Sequence, residues 1–295
     1  MQTASRTARL MAVQRGLESS RPSPKRLFED RLARSFVSPT WRLALGGARF
    51  APIRIGLEAA YDLVGGPGPR ASAIARTRLI DDLLEEFAPW VDQIVILGAG
   101  FDTRPYRLRC LSTRRVFEVD HSDTQKAKRS GLAQVLDSET SGVAFVPVDF
   151  ETDDLAEVLL GAGFSSEQTT LFLWEGVTQY LSAEAVTATL RVIRHLSRPK
   201  SFLLFTYVDE SVITDGLANF PEAKRWLKGV RKRSEPWIFG IDPREVARLL
   251  TDHGFQLIND VSTREAGNRY FSLVGRHDRG SGLYHVVTAC TLDSR

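Results

Sequence analysis

A chain of 295 residues, 43% hydrophobic and 25% charged, suits one α/β domain with appendages and has an ordinary globular composition. A formal net charge of +3 is too small to imply a nucleic-acid partner, and no segment approaches the ~20 apolar residues of a membrane span, so neither nucleic acid nor membrane is expected. Cys110 and Cys290 stand too far apart to form a metal cluster by themselves, and the polar, arginine-bearing N-terminus has no apolar run of signal-peptide length; no metal and a reducing cytoplasm are the expectation.

In chain order, residues 3–36 read as two helices broken at Ser19-Ser20-Arg21-Pro22-Ser23-Pro24. Leu10, Val13 and Leu17 fall at helical spacing in the first, and Leu27, Leu32 and Phe36 in the second. The segment precedes the sheet and is expected to cap its ligand edge. Its arginines, from Arg6 to Arg34, read as a solvated basic face, with attraction of an anionic substrate as the sharper alternative. Gly65-Gly66-Pro67-Gly68-Pro69 then interrupts the chain and launches a helix from Ala71 to Phe87. Ile94 to Leu97 has the apolar, β-branched pattern of a buried parallel strand and ends in Gly98-Ala99-Gly100, where missing side chains let the backbone turn and approach a ligand. A second strand, Val116 to Val119, ends in Asp120. A glycine turn after one strand and an acid after the next is how a doubly wound sheet holds a nucleoside. A dinucleotide turn wants glycine at position 103, and this chain has Asp102-Thr103 instead. A second acid in the turn suits a cationic ligand better than a pyrophosphate.

His121 to Leu136 reads as a helix and Val143 to Val148 as a third strand, ending in Asp149-Phe150. A fourth strand, Thr170 to Trp174, runs into Glu175-Gly176-Val177-Thr178-Gln179-Tyr180-Leu181. Ala183 to Leu196 is an amphipathic helix and Ser201 to Val208 a fifth strand. The excursion 209–238 is longer than a minimal crossover and reads as a lid, with a basic run from Lys224 to Arg233 around Trp226, Leu227 and Val230. Pro243 to His253 is the next helix, Gln256 to Val261 a sixth strand and Tyr270 to Val274 a seventh. The tail after His277 has no assignment.

Gly-Ala-Gly-Phe-Asp-Thr-Arg (98–104), followed by Glu118-Val119-Asp120-His121, resembles the cofactor site of class I S-adenosylmethionine (SAM) methyltransferases. The resemblance is to the leucine carboxyl methyltransferase-like family, in its bacterial branch associated with polyketide O-methylation, and runs from about Thr7 to Arg276. Leu27-Phe28-Glu29-Asp30 resembles that family's Phe-x-Asp-Pro element, with Arg31 in place of the proline. The resemblance implies an α/β fold with a doubly wound, seven-stranded, mostly parallel sheet whose last strand is antiparallel. It implies a helical cap (1–64), a SAM-binding core (65–208), a lid (209–238), a last helix and strands (239–277) and a tail (278–295).

It also implies roles. Ala75-Arg76 matches the element whose arginine binds the SAM carboxylate; Arg78 would face elsewhere. Gly98, Ala99, Gly100 and Asp102 form the turn, and Asp120 takes the ribose hydroxyls. Asp149 takes the adenine amino group while Phe150 packs on the ring; a rival assignment makes Asp149 the cap of a helix beginning near Thr152, although Thr152 and Asp153 are themselves adequate caps. Glu175 contacts the cationic methionine portion of SAM. Tyr180 borders the reacting methyl, or else simply packs with its hydroxyl satisfied.

Methyl transfer from a sulfonium is an in-line displacement by a nucleophile held near the methyl carbon. A carboxylate needs only orientation and desolvation, whereas a phenol profits from a base. None of the five histidines sits in a strand-end motif, which leans toward carboxyl methylation. The activity expected is O-methylation of a carboxylate or hydroxyl of a small, anionic molecule, with a protein C-terminal carboxylate or a non-catalytic SAM sensor as alternatives. Trp174-Glu175-Gly176-Val177 is not the Asp/Asn-Pro-Pro-aromatic motif of amino-methylating nucleic-acid enzymes, and neither cysteine follows a proline as cytosine carbon methylation requires.

Overall fold

Strand β1 (Gln93–Leu97) is buried along its whole length and lies inside a seven-stranded sheet ordered β3-β2-β1-β4-β5-β7-β6, next to the central strand β4. The other strands are β2 (Arg115–Asp120), β3 (Val143–Pro147), β4 (Thr170–Trp174), β5 (Phe202–Val208), β6 (Phe255–Ser262) and β7 (Tyr284–Thr291). Strands β1 to β5 pair in parallel, and β7 runs antiparallel to both β5 and β6. This computed structural model describes residues 6–66, 68–136, 142–150, 152–214, 219–231 and 236–292.

The helices are α1 (Arg6–Ser19), α2 (Pro39–Gly47), α3 (Ala51–Gly65), α4 (Pro69–Phe87), α5 (Arg104–Arg107), α6 (Ser122–Leu132), α7 (Leu155–Gly161), α8 (Ala183–Leu196), α9 (Ser211–Thr214), α10 (Lys224–Arg231), α11 (Val246–Asp252) and α12 (Thr263–Leu273). Because side chains alternate along a strand, β1 sends Ile94 and Ile96 to one layer and Val95 and Leu97 to the other. The first layer packs on α4 and α12, and the second on α7, α8 and α11. Such burial is worth about 25 cal/mol per Å² of apolar surface, and two-sided covering is what a parallel sheet requires. A third cluster joins α1, α2 and Phe36 to Phe101 of the glycine turn, with Phe36 and Phe101 stacked at 4.9 Å. The N-terminal segment is thus anchored on the ligand edge of the sheet.

Several expectations are corrected. Tyr270–Val274 is not a strand. Ser262 and Glu265 form a capping box that starts α12, and Thr263, Ala266, Gly267, Tyr270 and Phe271 bury one helical face. The seventh strand lies instead in the unassigned tail, as β7. The second N-terminal helix is absent: Leu32–Phe36 is a short 3₁₀ turn, and the true helices α2 and α3 follow it, α2 capped by Ser38 with Pro39 at its first position. The helix foreseen near Thr152 begins at Leu155, capped by Asp154, whose Oδ1 accepts from the Ala156 and Glu157 N–H groups at 2.8 and 3.1 Å. Asp149 therefore is not the helix cap.

Candidate functional site

The carboxyl ends of β1, β2 and β4 open into a cavity of about 1020 Å³, walled also by α1, α3, α4, α10 and the start of β7. In an open α/β sheet this is where strand order reverses and ligands bind. The glycine turn forms its floor. Gly98 has φ +66° and Gly100 φ +47°, and a Cβ on Gly98 would lie 2.4 Å from Val177 Cγ2. Only glycine supplies both the left-handed backbone and the close approach.

Asp120 closes the turn from the neighbouring strand. Its Oδ2 accepts from Gly100 N–H at 2.6 Å and its Oδ1 from His121 N–H at 2.7 Å. Burial raises its carboxyl pKa, and these two amides counter part of that rise. Lone pairs remain on both oxygens for hydroxyl donors. Asp30 acts from the other side, accepting from Arg15 Nε and Thr103 Oγ1 at 2.8 Å each, while Arg15 Nη2 donates to Phe101 O at 2.6 Å. These bonds tie α1 to the turn.

An alternating chain of charge lines the opposite wall. Glu175, at the end of β4, receives Arg76 Nε on Oε1 at 2.7 Å and Arg104 Nη1 on Oε2 at 2.6 Å. Arg104 also holds Asp102 Oδ2 at 2.7 Å and Asp81 Oδ1 at 2.8 Å. Burial alone would raise the Glu175 carboxyl; Arg104 and then Arg76 bring it below its usual value. Asp102 meets the same opposition and sits at about 2, with Arg104 the main cation. Arg76 further lies 4.7 Å over the Tyr284 ring. Arg78 points away, donating to Leu27 O at 2.7 Å.

The cavity thus brings together Arg76, Gly98, Ala99, Gly100, Asp102, Asp120, Phe150, Glu175 and Tyr180. Phe150 lines the cavity and is 42% exposed. Asp149 is half-buried and does not reach the cavity wall, its backbone N–H donating to Asp153 Oδ2 at 2.8 Å. Of the run's described basic side chains, Arg225 lines the cavity and Lys224 and Lys228 are exposed elsewhere; the side chains of Val230 and Arg231, and residues Lys232 and Arg233, lie outside those described. Trp226 and Leu227 do face inward with Tyr284. Sequence reasoning gave no role to Arg104, Asp30, Trp237 or Tyr284. Arg104 stood in the quoted motif and Asp30 in the Phe28-Glu29-Asp30 element, so those two carried a signal. Among the described residues, no group of three or more His, Cys, Asp or Glu side chains could hold a metal, and no helix is long and apolar enough to cross a membrane.

A doubly wound sheet with a glycine turn after β1 and an acid at the end of β2 is the architecture of a class I SAM-dependent methyltransferase. The profile of the leucine carboxyl methyltransferase family matches residues 8–194, and the chain belongs to that family. A Frankia alni protein named for S-adenosyl-L-methionine-dependent methyl transfer is 34% identical over 76% of this chain and 76% of its own. One from Mycolicibacterium smegmatis, named likewise, is 31% identical over 67% of this chain and 72% of its own. Among solved structures, a Thermobifida fusca protein named as a methyltransferase superposes with TM-score 0.58 at 19% identity, over 94% of this chain and 98% of its own. A DUF574 family protein of Streptomyces avermitilis gives 0.59 at 14% identity, over 98% of each chain. These two likenesses bear on the fold.

Proposed function

We propose that the chain transfers the SAM methyl group to an oxygen of a small organic molecule of polyketide type, in the cytoplasm. The observation that carries this reading is the single cavity in which Arg76, Asp120 and Glu175 share a wall with Tyr180. Asp120 receives the ribose hydroxyls, Phe150 covers one adenine face with Asp149 nearby, and Arg76 takes the cofactor carboxylate. Glu175 faces the cationic methionine portion, and Tyr180 borders the methyl. The turn residues Gly98, Ala99, Gly100 and Asp102 shape the floor. In the reaction the acceptor oxygen forms a bond to the methyl carbon as the carbon–sulfur bond breaks, and sulfur keeps the electron pair as a neutral thioether. The protein's part is to align donor and acceptor and to exclude water. The described parts of 209–238, among them α10 with Trp226, act as the lid over the acceptor side; 215–218 and 232–235 lie outside the described residues.

Radiolabelled methyl transfer into host extract tests this. Label should appear in a small, solvent-extractable product; alkaline release of methanol identifies an ester, and resistance to alkali an ether. Label confined to protein or nucleic acid, or SAM binding without any transfer, contradicts the proposal.

A further inference from the structure

The outer half of the cavity is aromatic. Trp226 of α10, Trp237 and Tyr284 contact one another in a continuous wall. Trp226 and Trp237 meet edge to face with ring centroids 5.3 Å apart, Trp237 and Tyr284 at 6.3 Å, and Trp226 lies nearly parallel to Tyr284 at 6.4 Å. Tyr284 is also the ring beneath Arg76, and Arg76 holds Glu175. The wall therefore starts at the end of the cavity proposed above for the methionine portion of SAM and runs toward α10.

The charges around it are already matched. Arg15 pairs with Asp30 and Arg104 with Asp81, Asp102 and Glu175, while Arg76 pairs with Glu175 and its remaining nitrogens are assigned above to the cofactor carboxylate. Arg225 is exposed at the rim. A carboxylate laid against the three rings would lose its hydration and find no unpaired buried cation among the described lining residues. A flat neutral ring loses little hydration there and gains stacking and dispersion. The Trp237 Nε1–H is buried and has no hydrogen-bond partner among the described residues, so the polar edge of that ring is turned away from solvent.

We propose that Trp226, Trp237 and Tyr284 form the acceptor subsite, and that it takes a flat, uncharged aromatic hydroxyl compound stacked on these rings. This rests on the methyl-transfer function proposed above and replaces the anionic acceptor expected from the basic run. The phenolic oxygen bonds to the methyl carbon as the methyl–sulfur bond breaks, sulfur keeps that pair, and the phenolic proton passes to solvent water. The products are an aryl methyl ether and the neutral thioether, S-adenosylhomocysteine.

Titration calorimetry on the protein saturated with S-adenosylhomocysteine tests the subsite, with 2-naphthol, 2-naphthoate and octanoate as probes. 2-Naphthol should bind at least tenfold more tightly than either carboxylate. Trp226→Ala and Trp237→Ala should each weaken 2-naphthol tenfold or more while S-adenosylhomocysteine affinity, which reports an intact fold, stays within twofold. Trp226→Phe, which keeps a ring, should recover most of the loss. Equal or tighter binding of 2-naphthoate or octanoate, no 2-naphthol binding, or unchanged 2-naphthol affinity in both alanine variants overturns the subsite and leaves the cofactor reading standing. Failure of the wild-type protein to bind S-adenosylhomocysteine overturns both.

Discussion

Arg76 and Glu175, brought together from helix α4 and the end of β4, form an ion pair of 2.7 Å from Nε to Oε1 inside the cavity. The ion pair and the ring of Tyr284, 4.7 Å below, hold the guanidinium in place, and Nη2 donates weakly to Met11 Sδ at 3.4 Å. The terminal nitrogens offer a ligand the planar fork suited to a carboxylate.

Arg76→Ala should therefore weaken S-adenosylhomocysteine binding by about 2–3 kcal/mol, on the order of 100-fold. Arg76→Lys should recover only part of this, since an ammonium cannot hold Glu175 and a ligand carboxylate in one plane. Titration calorimetry reads both. Equal affinity of wild type and Arg76→Ala would move the cofactor carboxylate elsewhere.

Asp120 has a double task, since the carboxylate that faces the ribose position also holds the Gly100 and His121 amides. Asp120→Ala should cost about 1.5–3 kcal/mol of cofactor binding and lower the melting temperature as well. Asp120→Asn, which keeps one acceptor oxygen, should fall between. A dissociation constant unchanged in Asp120→Ala would show that the carboxylate serves only the turn.

Gly98→Ala sets a methyl group 2.4 Å from Val177 Cγ2 at a backbone φ of +66°. Left-handed strain and overpacking each cost about 1–3 kcal/mol. Val177→Ala in the same chain should relieve the steric part and leave the backbone part. A double variant no more stable than Gly98→Ala in urea unfolding would rule out the contact as a cause.

Behind the turn, Glu118 Oε2 lies 2.8 Å from Lys128 Nζ, each side chain 1% exposed. Burial pushes the Glu118 carboxyl up from 4.5 to about 7, and Lys128 offsets only part of that. Between these values the folded chain holds a proton that the unfolded chain has released. This contribution to stability is thus fully present below about pH 4.5 and is lost as pH rises through about 7, a change of at most about 3 kcal/mol. Asp120, also raised, adds in the same direction. In Glu118→Gln the fall in stability between pH 5 and pH 7.5 should shrink or reverse. Urea unfolding with parallel pH slopes in both proteins would contradict this.

The central fold was legible because its signals are local. A buried β-branched strand, a glycine turn and an acid at the next strand end need no distant partner to be read, and they placed β1, β2 and Asp120 correctly. What escaped depends on tertiary context. Tyr270-Phe271-Ser272-Leu273-Val274 has strand-like composition, but the Ser262–Glu265 capping box upstream commits it to α12. β7 is buried by pairing on both sides, β5 and β6, a reward that its own sequence does not display. Tyr284 and Trp237 become site residues only because that strand and the end of the excursion converge on Arg76 and Gln179, where Ile238 N–H donates to Gln179 O at 2.8 Å. The basic run drew attention by charge, whereas its contribution to the cavity is chiefly the Trp226 face.

A crystal structure of the complex with S-adenosylhomocysteine tests the central claim most directly. The ribose hydroxyls should lie on Asp120, the adenine against Phe150, and the homocysteine carboxylate on the Arg76 fork, with the sulfur directed toward Tyr180 and Tyr284. A ligand bound outside this cavity, or one in it with neither Asp120 nor Arg76 within hydrogen-bond distance, would contradict the account.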